Sequence, residues 1–340
     1  DVYKRQANIK SYKIPKKWSG FLAYTYDKTP LEQNNKLKDS ISSEKGYPLI
    51  IRNLKTNKED TIPFVTNYTF AKEGMVLSYS TSGLKDSISP GIYIKNLKTN
   101  CSKQIHISHE KTKYFKLKLS NSGDKLAFVK DADSTKTYQR PYELYLWDSS
   151  QKNSKLILDM HNSPDGYKVS PYGDIKFSKN ESKLYFGLGL PEIVQDTLLL
   201  DEEIVNVEVW TYDEPRLYSV QEKQIENDMK KSFQTVYHIK DERLIQIATK
   251  EFPIAILSDE GNGDYALISN PEPYQLSSQW TALFSMNDLA VMNINNGNSK
   301  IAIKSNPSTA RFSPEGEYAF GYNQVDSTWY TYCLLYTSPS

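Results

Sequence analysis

Only two cysteines, Cys101 and Cys333, occur among the 340 residues. Two cannot build the disulfide framework of a small secreted scaffold, and no paired spacing suggests a zinc site. Charge is also balanced. The 42 basic and 41 acidic residues leave a net charge of +1. No basic surplus exists to neutralise a phosphate backbone, so nucleic acid is not an expected partner. No apolar run of about 18 residues occurs, so no membrane span is expected, and no charged-then-apolar leader opens the sequence. The G-x-S-x-G pentapeptide of a nucleophile elbow is missing, as are a helix-opening G-x-G-x-x-G and a P-loop. No catalytic, cofactor-binding or metal-binding residue is assigned, and no cofactor is expected.

What the sequence does have is aromatic side chains: 25 Tyr, 12 Phe and 5 Trp. Such residues favour strands over helices. Ile92-Tyr93-Ile94-Lys95-Asn96-Leu97-Lys98-Thr99-Asn100 repeats Leu49-Ile50-Ile51-Arg52-Asn53-Leu54-Lys55-Thr56-Asn57 at an offset of 43 residues. Weaker copies start at Leu144, Val207 and Leu289. Each is an alternating apolar run followed by a polar turn, usually with a second short run behind it, such as Ile105–Ile107 or Ile301–Ile303. This is a hairpin pattern.

A second hairpin alternates with the first. Its copies are Phe312–Phe320, Leu119–Phe128, Phe177–Phe186 and Phe70–Leu77. Gly74, Gly123 and Gly316 each stand four residues after the opening apolar residue, where positive φ is expected of a tight turn. Two alternating hairpins make a four-stranded antiparallel unit of roughly 40 to 60 residues, the size of a propeller blade. The fold class expected is therefore all-β: a β-propeller of four-stranded antiparallel blades, about five plus a partial one. The blades open near Trp18 and at Tyr68, Tyr114, Asp174, Ile254 and Ala310.

One helix interrupts the pattern at residues 213–233, between strands Val207–Trp210 and Thr235–Ile239. Leu217, Ile225, Met229 and Phe233 are spaced for one helical face, with Pro215 in the first turn. The two ends, residues 1–6 and 333–340, do not continue their neighbours' pattern. They resemble translated sequencing adaptors and are expected to be scars of an incomplete reading frame, leaving 7–332 as the propeller.

Candidate chemistry is sparse. His106 lies in a strand and His109 just beyond it. Residues three apart in a strand point to opposite faces, so with Glu110 they are expected to form a solvated strand end rather than a metal site. His161 and His238 are isolated. Asp201-Glu202-Glu203 reads as a solvated turn, and Asp259, Glu260 and Asp264 as solvent-facing acids of a Gly-rich loop, not as a glycosidase pair. Tyr274–Trp280, after Pro273, reads as a polar and aromatic loop that either faces a ligand or connects strands under Trp280. Asn67, Asn100 and Asn180 begin N-x-S/T triplets, which matter only in a eukaryotic secretory setting.

Phe312-Ser313-Pro314-Glu315-Gly316-Glu317-Tyr318 resembles the turn common to propellers of Tol-type periplasmic proteins and prolyl oligopeptidase-type serine peptidases. The order Val207–Trp210, helix, Thr235–Ile239, Tyr274–Trp280, Leu289–Val291 resembles the amino-terminal propeller of prolyl oligopeptidase family peptidases from Bacteroidetes-type bacteria, over about residues 15–332. That resemblance implies a partner α/β-hydrolase domain with a Ser-Asp-His triad, carried by the parent chain, and a peptide substrate that the propeller filters by size. It also implies a periplasmic or secreted location. No triad position exists in these residues. Glu202-Glu203 lacks the flanking motif of the glutamate pair with which dipeptidyl relatives hold a substrate amino terminus, and it is not assigned that role. The alternative is a stand-alone envelope propeller that scaffolds a protein partner. Under either reading the 340-residue chain alone is expected to cleave no peptide.

Overall fold

The computed structural model describes residues 9–26, 46–83, 88–131, 133, 135, 137–193, 211–281 and 286–334. The chain is mostly β, with antiparallel pairing throughout these residues. It divides into two compact units, residues 1–164 and 165–340.

In the first unit, β1 (Ile9–Lys13), β2 (Phe21–Tyr26), β3 (Tyr47–Asn53), β4 (Glu59–Phe70), β5 (Val76–Thr81), β6 (Gly91–Asn96) and β7 (Cys101–Ile107) pair in sequence order. The repeat predicts two separate blades here. Instead the two are fused, because the 12-residue β4 serves both. Its first half pairs β3, with Ile62 opposite Leu49, and its second half pairs β5, with Tyr68 opposite Tyr79. Pro63 has no N–H to give the ladder, and Phe64 takes φ 56°, so the strand bends where it changes partner. A second sheet follows, of β8 (Lys113–Leu119), β9 (Lys125–Asp131), β10 (Tyr142–Asp148) and β11 (Lys155–Leu158).

The second unit opens with a broken strand. β12 (Lys168–Val169) and β13 (Lys176–Phe177) both pair β14 (Lys183–Gly189), which continues to β15 (Phe233–His238) and β16 (Arg243–Gln246). Next come β17 (Ile254–Leu257), β18 (Tyr265–Asn270), β19 (Asn287–Asn293) and β20 (Ser299–Asn306), then the three-stranded β21 (Arg311–Phe312), β22 (Tyr318–Asn323) and β23 (Thr328–Cys333). Leu334 follows β23, is buried, and donates its N–H to Glu317 O.

The turns explain the repeat in the sequence. Where the third strand of a blade meets the fourth, and where β22 meets β23, an Asx side chain folds back on the backbone. Asn53 Oδ1 accepts the Lys55 and Thr56 N–H groups, and Asn96 Oδ1 accepts those of Lys98 and Thr99. Asn293 and Asn323 do the same for Asn295, Val325 and Asp326. Four residues on, Asn57, Asn100, Gly297 and Ser327 take positive φ. The carboxamide supplies the turn bond, and the left-handed residue reverses the chain.

The other hairpin behaves differently from the expectation. Gly123 and Gly316 do adopt positive φ, 89° and 74°. Gly74 does not, and its reason is space. A Cβ there would lie 1.7 Å from Ser122 O. Conversely Glu181, not glycine, holds φ 59° in the matching turn after Phe177.

The middle strands carry the core. β14 is buried along its whole length and β9 nearly so, while β7 and β20 are largely exposed. Cores form between successive sheets within each unit. In the first unit, Ile92, Ile94 and Ile105 meet Leu119, Leu126, Phe128 and Trp147. In the second, Tyr185, Val236 and Ile247 meet Ala266, Ile268, Ala290 and Met292.

Two helices are found among the described residues beyond short 3-10 turns, not one. The first is Tyr218–Met229, shorter than 213–233, and it buries no residue. Leu217 stands at its N-cap, Pro215 precedes it, and Phe233 belongs to β15. The expected four-residue stripe is therefore not a packed face. Strand Val207–Trp210 lies outside the described residues. The second helix, Gln275–Thr281, replaces the loop expected at Tyr274–Trp280. No helix among the described residues is long and apolar enough to cross a membrane.

Candidate functional site

Connections of very different length leave the two ends of each sheet. First-to-second and third-to-fourth strand connections are tight, as from Leu119 to Lys125, Phe312 to Tyr318 or Asn96 to Cys101, and in the three-stranded last sheet the second-to-third connection, Asn323 to Thr328, is tight as well. In the sheets before the last, second-to-third connections are long: Thr81 to Gly91, Asp131 to Tyr142, Gly189 to Phe233 and Asn270 to Asn287. Both helices lie on connections of this long class. In an antiparallel meander those connections all leave one end of the sheet. Loops grown on one end of a rigid scaffold are where binding groups are usually placed.

In the second unit these long connections are tied to one another. Gln279 Nε2 donates to Pro215 O at 2.7 Å, and Lys231 Nζ stands 3.9 Å from Glu272 Oε1. Arg216 donates to Asp228 Oδ2 at 2.8 Å and to Gln224 Oε1 at 2.9 Å, bracing the first helix. At the entry to the second helix, Tyr274 Oη donates to Asp288 Oδ1 at 2.6 Å, and the Ser305 N–H donates to the same carboxylate at 3.0 Å. Tyr274 therefore pins its helix to β19 and β20. Exposed ion pairs of this kind add little stability, so the effect is mainly on orientation. Ile225 and Met229 remain exposed on the first helix, with Tyr212 before it. Among the described residues of this surface no nucleophile and base are in contact.

His106 departs from the solvated strand end expected of it. It is half-buried, ringed by Tyr114, Phe128 and Tyr145 at 6.0, 5.2 and 4.6 Å between centroids. The cause is its place on β7 against the face of the next sheet. Its Nδ1 pairs with Ser154 Oγ at 2.8 Å, a serine–histidine contact that the spacing in sequence gives no sign of. That pair is not a catalytic dyad. Burial, reinforced by Lys130 and opposed by Glu143, lowers the imidazole pKa to about 4, leaving a weak base. Its Nε2 meets no acceptor among the described residues, so no third group orients the ring. Burial also raises the Tyr114 and Tyr145 hydroxyls, the latter further through Glu143. His109 is exposed in the following turn.

The acidic loop is structural at its centre. Lys183 Nζ donates to Asn262 O and Gly263 O, both at 2.8 Å, and lies 3.6 Å from Asp264 Oδ1. Tyr185 Oη donates to Gly261 O at 2.7 Å. Burial lowers the Lys183 pKa, against the pull of Asp264. Asp259 and Glu260 form a 3-10 turn, with Glu260 and Asp264 exposed. His238 is buried and pairs through Nε2 with Ile294 O at 2.8 Å, and His161 is exposed. Asp201-Glu202-Glu203 lies outside the described residues. Among the described residues no group of three or more His, Cys, Asp or Glu side chains is placed to hold a metal ion.

Neither a protein-family model nor a curated protein matches the sequence. Solved structures do. The chain is similar to the β-propeller domain of the Trilobed protease from Pyrococcus furiosus, with 14% identity, a TM-score of 0.43, and coverage of 91% of this chain and 77% of that one. It is also similar to the tricorn protease, at 11% identity and TM-score 0.40, covering 96% of this chain and 29% of that one. Pyrococcus horikoshii acylaminoacyl peptidase matches at 11% identity and TM-score 0.41, covering 91% and 42%. The chain therefore spans less than half the length of the last two proteins.

Proposed function

We propose that this chain is the non-catalytic propeller portion of a prolyl oligopeptidase-type serine peptidase, acting in the periplasm or outside the cell. It shapes the access of peptides to a hydrolase domain carried by the parent protein. The observation that carries this reading is the one-ended elaboration of the sheets before the last: the helices and long connections leave one end of a sheet, and tight turns close the other. A domain that only filters substrate needs such a surface and needs no nucleophile of its own. The resemblance of residues 15–332 to peptidase propellers supplies the reaction class.

The test is to read the native gene onward in frame from the blades. A G-x-S-x-G segment followed by Asp and His supports the reading. A stop codon within one blade's length overturns it and leaves a stand-alone scaffold at the envelope. In the full-length protein, replacing residues 216–230 by a Gly-Ser linker is expected to change kcat/KM for long peptides while leaving that for short ones intact. Equal effects on both would remove the gating role.

A further inference from the structure

The net charge of +1 conceals two opposite halves. Residues 1–164 hold 28 basic and 16 acidic residues, and residues 165–340 hold 14 and 25. Asymmetry of this kind points to an anionic partner for the basic half. In the first unit the lysines gather at the end of the sheets opposite the long connections. Six short connections close that end: β1–β2, β3–β4, β4–β5, β6–β7, β8–β9 and β10–β11. Bonds between them make one contiguous surface. The Leu54 N–H donates to Gly20 O, and Lys17 pairs with Glu73 at 2.8 Å. The Glu73 N–H donates to Asn121 O, the Leu97 N–H to Met75 O and the Ser149 N–H to Asp124 O. These connections carry seven lysines, no arginine and two acids, Glu73 and Asp124. Apart from Lys17, the ammonium groups, those of Lys16, Lys55, Lys58, Lys72, Lys98 and Lys152, meet no carboxylate among the described residues. In the second unit the equivalent connections, β13–β14, β15–β16, β17–β18, β19–β20 and β21–β22, hold eight acids and two lysines. Free lysines are therefore a property of the first unit and not of such turns in general.

Three features choose among anions. Lysine is a point charge, without the planar fork with which arginine reads a single phosphate group. Trp18, the one aromatic residue of these connections, is half-buried against Phe21 and Phe70, unlike the free aromatic platforms on which nucleic-acid bases stack. Ile14 and Leu54 are exposed among the lysines, and apolar side chains beside lysines suit the headgroup boundary of a bilayer. We propose that this lysine-bearing end of the first unit docks on an anionic lipid surface, with the ammonium groups on headgroup phosphates and Ile14 and Leu54 among the headgroups. Such a surface asks for summed charge and not for exact placement. It repels the acidic turns of the second unit, so docking is through the first unit alone. The inference is independent of the proposed peptidase role, which uses the other end of the sheets.

The probe is vesicles of equal parts phosphatidylglycerol and phosphatidylcholine, mixed with the whole chain and floated on a density gradient. The protein is expected to rise with them at low salt and to stay behind with phosphatidylcholine alone. It is expected to be released at about 1 M salt, where the Debye length falls to about 3 Å. Each lysine near such a surface is worth about fivefold in binding. Lys55→Gln, Lys98→Gln and Lys152→Gln together are therefore expected to weaken it roughly 100-fold. The turns at Asn53 and Asn96 survive these changes, because the carboxamides accept the backbone N–H groups of Lys55 and Lys98. Lys179→Gln, Lys240→Gln and Lys300→Gln, at exposed positions of the second unit, remove the same charge and are expected to leave binding nearly unchanged. No flotation with the anionic vesicles, equal flotation with phosphatidylcholine alone, or equal weakening by the two triple variants would overturn the assignment. Retention on heparin without vesicle binding would do so as well, in favour of a soluble polyanion.

Discussion

Gly74 packs against Ser122 so closely that a Cβ on the glycine would lie 1.7 Å from the serine carbonyl oxygen. The Gly74 and Glu73 N–H groups both donate to Asn121 O, at 3.2 and 2.8 Å. Two turns of neighbouring blades are thus joined through backbone alone. Gly74→Ala is expected to destabilise the protein by about 2–3 kcal/mol, because backbone must move to relieve the overlap. Gly20→Ala provides the comparison, since a Cβ there meets nothing within 4 Å, although φ is 105°. Urea unfolding of both variants measures the difference, and a Gly74→Ala loss no larger than that of Gly20→Ala would contradict the packing argument.

Glu181 occupies a left-handed conformation that glycine takes in the matching turns at Gly123 and Gly316. Glu181→Gly is expected to stabilise by up to about 1 kcal/mol, the strain of a side chain at positive φ, and so to raise Tm. A fall in Tm would show that contacts of the glutamate outweigh that strain.

Asp131 is 2% exposed, and its carboxylate accepts Arg140 Nε at 2.6 Å and the Asp133 N–H at 3.0 Å. Arg140 also donates to Asp133 O. Arg140→Met leaves a buried carboxylate without its cation and is expected to cost about 2–4 kcal/mol. Asp131→Asn combined with Arg140→Met is expected to recover part of that loss. A double variant no more stable than Arg140→Met alone, by chemical denaturation, would argue against the ion pair as the cause.

His106 gives the chain a pH dependence whose sign is fixed by burial. Its folded pKa is about 4 against the ordinary imidazole value of 6.5, so between those values the unfolded chain binds the extra proton. Stability is therefore expected to fall as pH drops from about 6.5 to 4 and to level off for this group below 4. Tyr114, Tyr145, Lys130 and Glu143 face the ring. In His106→Gln the slope across this window should flatten relative to the native chain, while carboxylate titration common to both persists. Identical slopes would remove His106 as the origin.

The repeated Asn-Leu-Lys-Thr-Asn was readable as a turn because all of its determinants are local: one Asx side chain and one left-handed residue four positions on. The tight spacing around Gly123 and Gly316 was readable for the same reason. Gly74 was misread because its constraint comes from Ser122 in the next blade. His106 was misread because its surroundings come from Phe128 and Tyr145, and its partner Ser154 lies far along the chain. The helix at Gln275 escaped notice because Pro271, Pro273 and two serines mark a loop by composition, while Tyr274 fixes the helix through Asp288. The long connections themselves were visible as gaps between hairpins. That they share one end of each sheet emerges only once the strands are paired.

That one-ended arrangement makes each sheet before the last tolerant of splicing in one direction only. Chain added to a closed loop costs only about 0.6 kcal/mol for each doubling of its length, provided no ladder or turn bond is broken. A reporter domain grafted at Tyr212, which is 96% exposed, would load a connection that is already long. The same graft beside Asn53 would abolish the carboxamide bonds to Lys55 and Thr56 and with them the register of β3 on β4. For lineages related to this chain, length is therefore expected to vary at the long connections and to stay fixed at the Asx turns.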